Sequence, residues 1–159
     1  MNTKKDAKRK KALGELGELF AIKALVDEGF TNIKNLNDEK MNFPYGDLYA
    51  ENGENKYIIS VKARNKFEKN GKENTRYKLG QNPEKAYKNA KKAEKEKNAK
   101  AYWMVIPFDT NTFDVYMGSL DELDGNGAVL IRSCQSGKIG ECLQKEKPHY
   151  FDWDYFANK

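Results

Sequence analysis

Three residues in the first half of the chain, Glu18, Asp47 and Lys62, are of the types that hold a divalent cation and steer a water molecule. A carboxylate brings charge and hard oxygen to such an ion, and a lysine ammonium offsets negative charge that develops in a reaction. Glu18 has Ala21, Ile22 and Leu25 at i+3, i+4 and i+7, so its carboxylate falls among core positions. A carboxylate placed there must be paired, protonated or bound to metal. Taken alone, Glu18 reads rather as a surface glutamate at the rim of an apolar face, and Glu15, three residues earlier, could share its role. Asp47 alone reads as a turn residue after Pro44-Tyr45-Gly46, and Lys62 as an exposed strand lysine. It is their convergence that would make a site.

That convergence depends on a hairpin. Residues 46–51 and 56–63 read as two strands joined by Glu51-Asn52-Gly53-Glu54, and Asn-Gly between β-rich runs is a strong hairpin signal. Side chains alternate along a strand, so Ile58, Ser60, Lys62 and Arg64 share one face and Tyr57, Ile59, Val61 and Ala63 the other. With Asn52-Gly53 as a two-residue turn, Asp47 opposes Ile58 and joins the face of Ser60 and Lys62. A register shift of two residues keeps that face. The expectation is an acid and a lysine on one face of a sheet, beneath a helix that offers Glu18.

The remaining elements follow from periodicity. Residues 12–28 read as a helix stopped by Gly29, with one apolar stripe at Leu13, Leu16, Phe20 and Ala24 and a second at Leu19, Ile22 and Val26. Two stripes predict burial on more than one side. Residues 31–36 read as a short strand, 37–44 as a loop, and 65–82 as a long loop or flap. Pro83 opens a helix over 84–98, whose Ala86, Tyr87, Ala90 and Ala93 face inward and whose lysines read as a solvated surface. The run YWMVIPF at 102–108 predicts a buried central strand that loses regular pairing at Pro107. Residues 112–117 return beside it. Ser119 and Glu122 have capping-box spacing. Residues 128–132 and the final HYFDWDYF predict an edge strand and a C-terminal cover. The order predicts an α/β fold, a mixed central β-sheet flanked by helices. It forms a single domain over 11–159 behind a basic arm at 1–10.

Composition agrees with a self-sufficient core. The chain has 159 residues, 38% hydrophobic and 12% aromatic, with 33% charged and a formal net charge of +5. That is enough for one core without disulfides or structural zinc, and the excess of cations favours a polyanionic partner. Cys134, Cys142 and His149 lack zinc-ligand spacing, and the two cysteines read as ordinary reduced thiols. No stretch nears the roughly 20 apolar residues of a membrane span. Neither a signal core nor a motif for an organic cofactor is expected, so the location expected is cytoplasmic.

Glu18, Asp47 and Lys62, in this order and on these elements, resemble the PD-(D/E)xK nuclease superfamily. Gly14-Glu15-Leu16-Gly17-Glu18 is similar to the first-helix motif of the Holliday-junction-resolvase-like members, Pro44-Tyr45-Gly46-Asp47 to the strand-initial aspartate, and Ile59-Ser60-Val61-Lys62 to the second motif. Residues 12–64 carry the resemblance; residues 83–118 share only the order of elements. It implies a restriction-endonuclease-like fold and a DNA endonuclease using Mg²⁺ or Mn²⁺. Asp47 and Glu18 would be its ligands, Ser60 and Lys62 complete its catalytic set, and DNA would be its partner, with a homodimer as the arrangement that cuts two strands. Ser60 departs from the pattern, which places Glu, Asp or Gln there. Serine brings no charge to a hard cation. Glu68, Glu73 and Glu84 are candidates to supply the missing acid, with Gln81 a weaker one; otherwise the site is too weak for catalysis and the domain only binds nucleic acid. Arg64, Lys66, Arg76, Tyr77 and Lys78 mix cations with an aromatic, a composition suited to phosphate contacts and base stacking. A third reading makes the aromatic C-terminus a protein-interaction segment.

Overall fold

Alternation of apolar and polar residues along one long strand organises the molecule. The computed structural model describes residues 3–41, 43–144 and 149–150, with residues 3–10 and 149 described by backbone alone. Strand β3 (Asn55–Asn65) lies between antiparallel β2 (Leu48–Asn52) and parallel β5 (Lys100–Phe108). Outside β2 comes β1 (Thr31–Asn35). Beyond β5 lie β6 (Thr112–Phe113), β7 (Tyr116–Ser119), β9 (Glu141–Cys142) and β10 (His149–Tyr150). The single parallel pair among antiparallel ones makes the sheet mixed, as expected. A parallel neighbour needs a crossover, and α3 (Pro83–Lys97) supplies it.

The helices cover opposite faces. Helix α1 (Thr3–Asp27) packs Leu16, Ala21, Ala24 and Leu25 onto Leu48, Ala50, Ile59 and Ala63. Gly17 permits this approach: a Cβ there would fall 2.4 Å from the Ala63 Cβ. Helix α3 packs the other face, burying Ala86 and Ala90 with Trp103 and Val105, and Ala93 with Ile58 and Tyr49. Asn82 caps it through the Lys85 N–H, Pro83 stands in its first turn, and Asn98 ends it at φ 50°.

Several expectations change. The helix begins at Thr3, within the segment read as a basic arm. Only Ile22 of its second stripe packs, half-buried, against the core: Leu19 is 59% and Val26 57% exposed, because α1 meets the sheet on one side only. Residues 36–39 form α2 (Leu36–Glu39), capped by the Asn35 side chain, where the last residue of a strand and the start of a loop were expected. The long loop contains β4 (Arg76–Lys78), which pairs with β8 (Ala128–Leu130) in a separate two-stranded sheet, so residues 128–130 do not edge the main one. The chain turns next into α4 (Ile131–Gln135). The strand expected over 112–117 is split between β6 and β7, and β5 runs one residue past Pro107. The capping box forms, with the Ser119 N–H donating to Glu122 Oε1 at 3.2 Å. Residues 149–150 do pair at an edge, whereas residues 151–159, most of the aromatic cover, lie outside the described residues. Among the described residues no helix is long and apolar enough to cross a membrane.

Candidate metal centre

Each of the two proposed acids follows a glycine, and each glycine is there because a side chain would not fit. Gly17 brings the Glu18 turn of α1 onto β3. At Gly46, a Cβ would fall 2.2 Å from Ile58 Cγ2 and 3.1 Å from Leu36 Cδ1. Tyr45, at φ 64°, fixes the same turn from its other side by donating its hydroxyl to the Tyr102 carbonyl at 2.7 Å. The sequence carried Gly17, Tyr45 and Gly46 only as members of the two motifs, with no packing role expected of them.

Asp47 then enters a notch. Strand β2 starts at Leu48, opposite Ile59, so beyond Ile59 strand β3 runs on without a β2 partner. The Asp47 side chain takes that place: Oδ2 accepts the Val61 N–H at 2.8 Å, while the Asp47 N–H donates to the Ile59 carbonyl at 2.9 Å. The hairpin register differs from expectation by two residues, since Asn52 pairs with Asn55 and the turn is Gly53-Glu54. The face survives that shift. The helix above it does not, because α1 packs against the Ile59 and Ala63 side and Lys62 alternates to the α3 side. Glu18 and Lys62 approach Asp47 from the two layers, and the notch between them makes this possible.

The electrostatics mark the spot. Burial pushes the Asp47 pKa up, against lowering by the Val61 N–H, Lys62 and Asn37. Burial also raises Glu18, and Asp47 adds repulsion. The Asn35 amide, 3.4 Å from Glu18 Oε2, lowers it, and Asp38 and Glu15 raise it further. Asn35, Asn37 and Asp38 are neighbours that sequence reading missed. The four-residue helix α2 carries two of them and is too short to show a period, though the Asn-Leu-Asn-Asp run is a capping signal.

Other expected residues fall elsewhere. Ser60 is buried at 1% exposure, on the α3 face beside Trp103. Glu73 lies 3.9 Å from Arg132, Glu68 turns back on Lys72 through its N–H, and Glu84 and Gln81 are exposed at the start of α3. None of them is among the groups acting on Asp47 or Glu18. Arg64, Arg76 and Lys78 are exposed, and Lys66 is half-buried with its ammonium 5.6 Å from the Phe67 ring centre. Tyr77 is a correction. Alternation along β4 turns it inward to 0% exposure between two exposed cations, so its ring packs in the α3-side core and has no face for a base.

Among the described residues, no three His, Cys, Asp or Glu side chains gather as a ready-made ligand set. Two carboxylates, short of compensating charge and walled by backbone N–H and asparagine, are what the notch offers.

No protein-family model matches the chain, and no curated protein matches it in sequence. Among solved structures it is similar to Hjc of Archaeoglobus fulgidus, a Holliday junction resolvase from an archaeal hyperthermophile. The TM-score is 0.45 at 15% identity, over 91% of this chain and 92% of that one.

Proposed function

We propose that the chain is a divalent-metal-dependent endonuclease that hydrolyses DNA phosphodiester bonds at the Asp47 notch. The observation that carries this reading is the pair Glu18 and Asp47, both raised by burial, Glu18 also by Asp47, with Lys62 acting on Asp47 from the opposite layer. The motif resemblance of residues 12–64 to restriction-endonuclease-like nucleases supports it. A magnesium ion is commonly bound by one or two carboxylates and completed by waters and substrate phosphate, so two carboxylates fit it without a third. When bound, such an ion polarises a phosphoryl oxygen and lowers the pKa of its water.

The chain's own residues do the rest. The Val61 N–H orients the Asp47 carboxylate, and Asn35 orients Glu18. Lys62 faces the reacting phosphate and neutralises charge that grows on its oxygens. Asp38 and Glu15, rather than Glu68, Glu73 or Glu84, are the further carboxylates within electrostatic reach of Glu18, and they would contribute through water. Ser60, enclosed under the sheet, supports β3 and adds no ligand. Arg64, Lys66, Arg76 and Lys78 hold phosphates on the far side of Lys62, and two copies would serve the two strands of a duplex.

Calorimetric titration of Mg²⁺ into the wild type and Asp47→Ala, beside a nicking assay on supercoiled plasmid, tests the reading. Binding and nicking that both vanish in the variant are expected, and a variant that nicks as fast as wild type overturns it. The burial of Ser60 favours one second reading, a nucleic-acid-binding module without cleavage. Wild type that neither binds Mg²⁺ nor nicks, yet binds duplex in a salt-sensitive way, would select it.

A further inference from the structure

The lysines of α3 do more than keep a surface in water. Ala86, Ala90 and Ala93 fix one face of the helix to the sheet, which aims Lys88, Lys92 and Lys95 outward at spacings of four and three. Like charges so spaced on a helix repel one another. The acids that could relieve them are partly engaged: Glu94 accepts the Ala101 N–H at 2.9 Å. Lys97 is also committed, bound to Glu39 of α2 and 5.8 Å from the Phe43 ring centre. That tie draws α2 and the following segment against α3 and leaves a cleft of about 500 Å³ between them, lined by Lys40, Pro44, Asn89, Lys92, Lys95 and Glu96. Three cations face one anion. Among the described residues, Lys40, Lys92 and Lys95 form no ion pair.

The position of the cleft gives this charge a direction. Pro44, in its wall, precedes Asp47 by three residues, and three residues span at most about 11 Å. The Gly46 N–H, donating to the Pro44 carbonyl at 2.7 Å, turns the chain between them and shortens that reach, so the separation is at most about three nucleotide steps of 3.4 Å on one DNA strand. Lysine is depleted at protein–protein interfaces, so an acidic protein is the poorer occupant.

We propose that Lys40, Lys92 and Lys95 form a phosphate-gripping cleft that holds the DNA backbone within about three nucleotides of the phosphate at the Asp47 notch. The inference rests on the nuclease reading and adds to it the track along which substrate leaves the site.

The test is duplex binding by fluorescence anisotropy, with the full chain in EDTA so that nothing is cut. Lys92→Gln/Lys95→Gln is compared with Lys56→Gln/Lys138→Gln, which makes the same change of charge on exposed lysines elsewhere. The cleft variant is expected to bind at least about tenfold more weakly at moderate salt and to lower the log–log salt slope by about two, one for each phosphate no longer neutralised. The control is expected to stay within about twofold, since its lysines touch no phosphate. Equal weakening in both variants, or none in the cleft variant, overturns the proposal while leaving the nuclease reading standing. Wild type that fails to bind duplex overturns both.

Discussion

Strand β2 has a carboxylate at each end, and the fold treats the two in opposite ways. Glu51, near the hairpin, accepts Tyr49 Oη and Asn32 Nδ2, each at 2.7 Å. Those bonds, with Lys56 and Lys34 nearby, hold its pKa below the ordinary range. Asp47, just before Leu48, is half-buried, and burial raises it despite the Val61 N–H and Lys62. Its neighbour Glu18 is raised as well. One end of the strand supplies what an anion needs, while the other gathers anions and leaves them short. On the metal-dependent reading proposed above, that deficit, at a place shaped by two sterically required glycines, is where the cation would sit.

The sharpest way to break this contrast is to neutralise each end in turn. Asp47→Asn keeps an oxygen for the Val61 N–H and removes the charge. Mg²⁺-dependent nicking should fall at least about 100-fold, roughly 2.7 kcal/mol of transition-state stabilisation. The rise in melting temperature on adding Mg²⁺ should disappear with it. Glu51→Gln should nick within about twofold of wild type, because Glu51 stands at the strand's other end and touches no substrate. Equal losses at both ends would mean the deficit is not what matters.

The next effect is steric. Gly46→Ala puts a methyl 2.2 Å from Ile58 and should cost about 2 kcal/mol in urea denaturation. It should also weaken Mg²⁺ binding, because the turn carries Asp47. Gly14→Ala, where a Cβ meets nothing within 4 Å on the same helix as Glu18, should instead stabilise by about 0.5–1 kcal/mol. Similar costs at both positions would remove the claim that Gly46 is shaped to place the acid.

Some of this was legible in the sequence. Period-two alternation placed Asp47 with Lys62, and it survived a two-residue error in the turn because such a slip keeps the face. Alternation could have placed Tyr77 too, between Arg76 and Lys78, but the mixture of cation and aromatic was read as composition. The side chosen by α1 was not legible. A helix stripe reports that a face is buried, not which face of the sheet buries it. The second stripe at Leu19 and Val26 carried the same defect, since hydrophobicity alone does not reveal whether a partner element exists. The notch is a mismatch in length between β2 and β3, which no local pattern reports. Asp38 lies on a helix of one turn, below the reach of periodicity.

A smaller and slower-varying effect should appear with pH. In EDTA the raised pKa values of Asp47 and Glu18 mean that the folded state takes up protons before the unfolded chain does. Their ionised forms therefore cost stability at neutral pH, and the cost is relieved as pH falls through the raised values toward the ordinary 3.8 and 4.5. Asp47→Asn and Glu18→Gln should each be more stable than wild type near pH 7, with the difference fading as pH approaches 4. Glu51 carries the opposite sign: its contribution is present above the ordinary 4.5 and is lost as pH falls through its lowered value. Glu51→Gln should thus be no more stable than wild type near pH 7. Parallel behaviour of the three variants, measured as stability differences across that window, would contradict the assignment.

The same contrast between supplied and unsupplied groups extends to uncharged ones, where the expected effect is smallest. Tyr45 and Tyr77 both send hydroxyls into the protein. Tyr45 donates to the Tyr102 carbonyl, whereas the Tyr77 hydroxyl is buried without a hydrogen-bond partner among the described residues. Tyr45→Phe should lose about 1 kcal/mol and loosen the turn before Asp47. Tyr77→Phe removes a desolvated group that gains nothing in return, so stability should stay level or rise by up to about 1 kcal/mol. A loss at Tyr77 equal to that at Tyr45 would mean its hydroxyl has a partner such as an enclosed water. The shortage would then be confined to the charged notch, where it serves binding, and would not be a general looseness of the α3-side core.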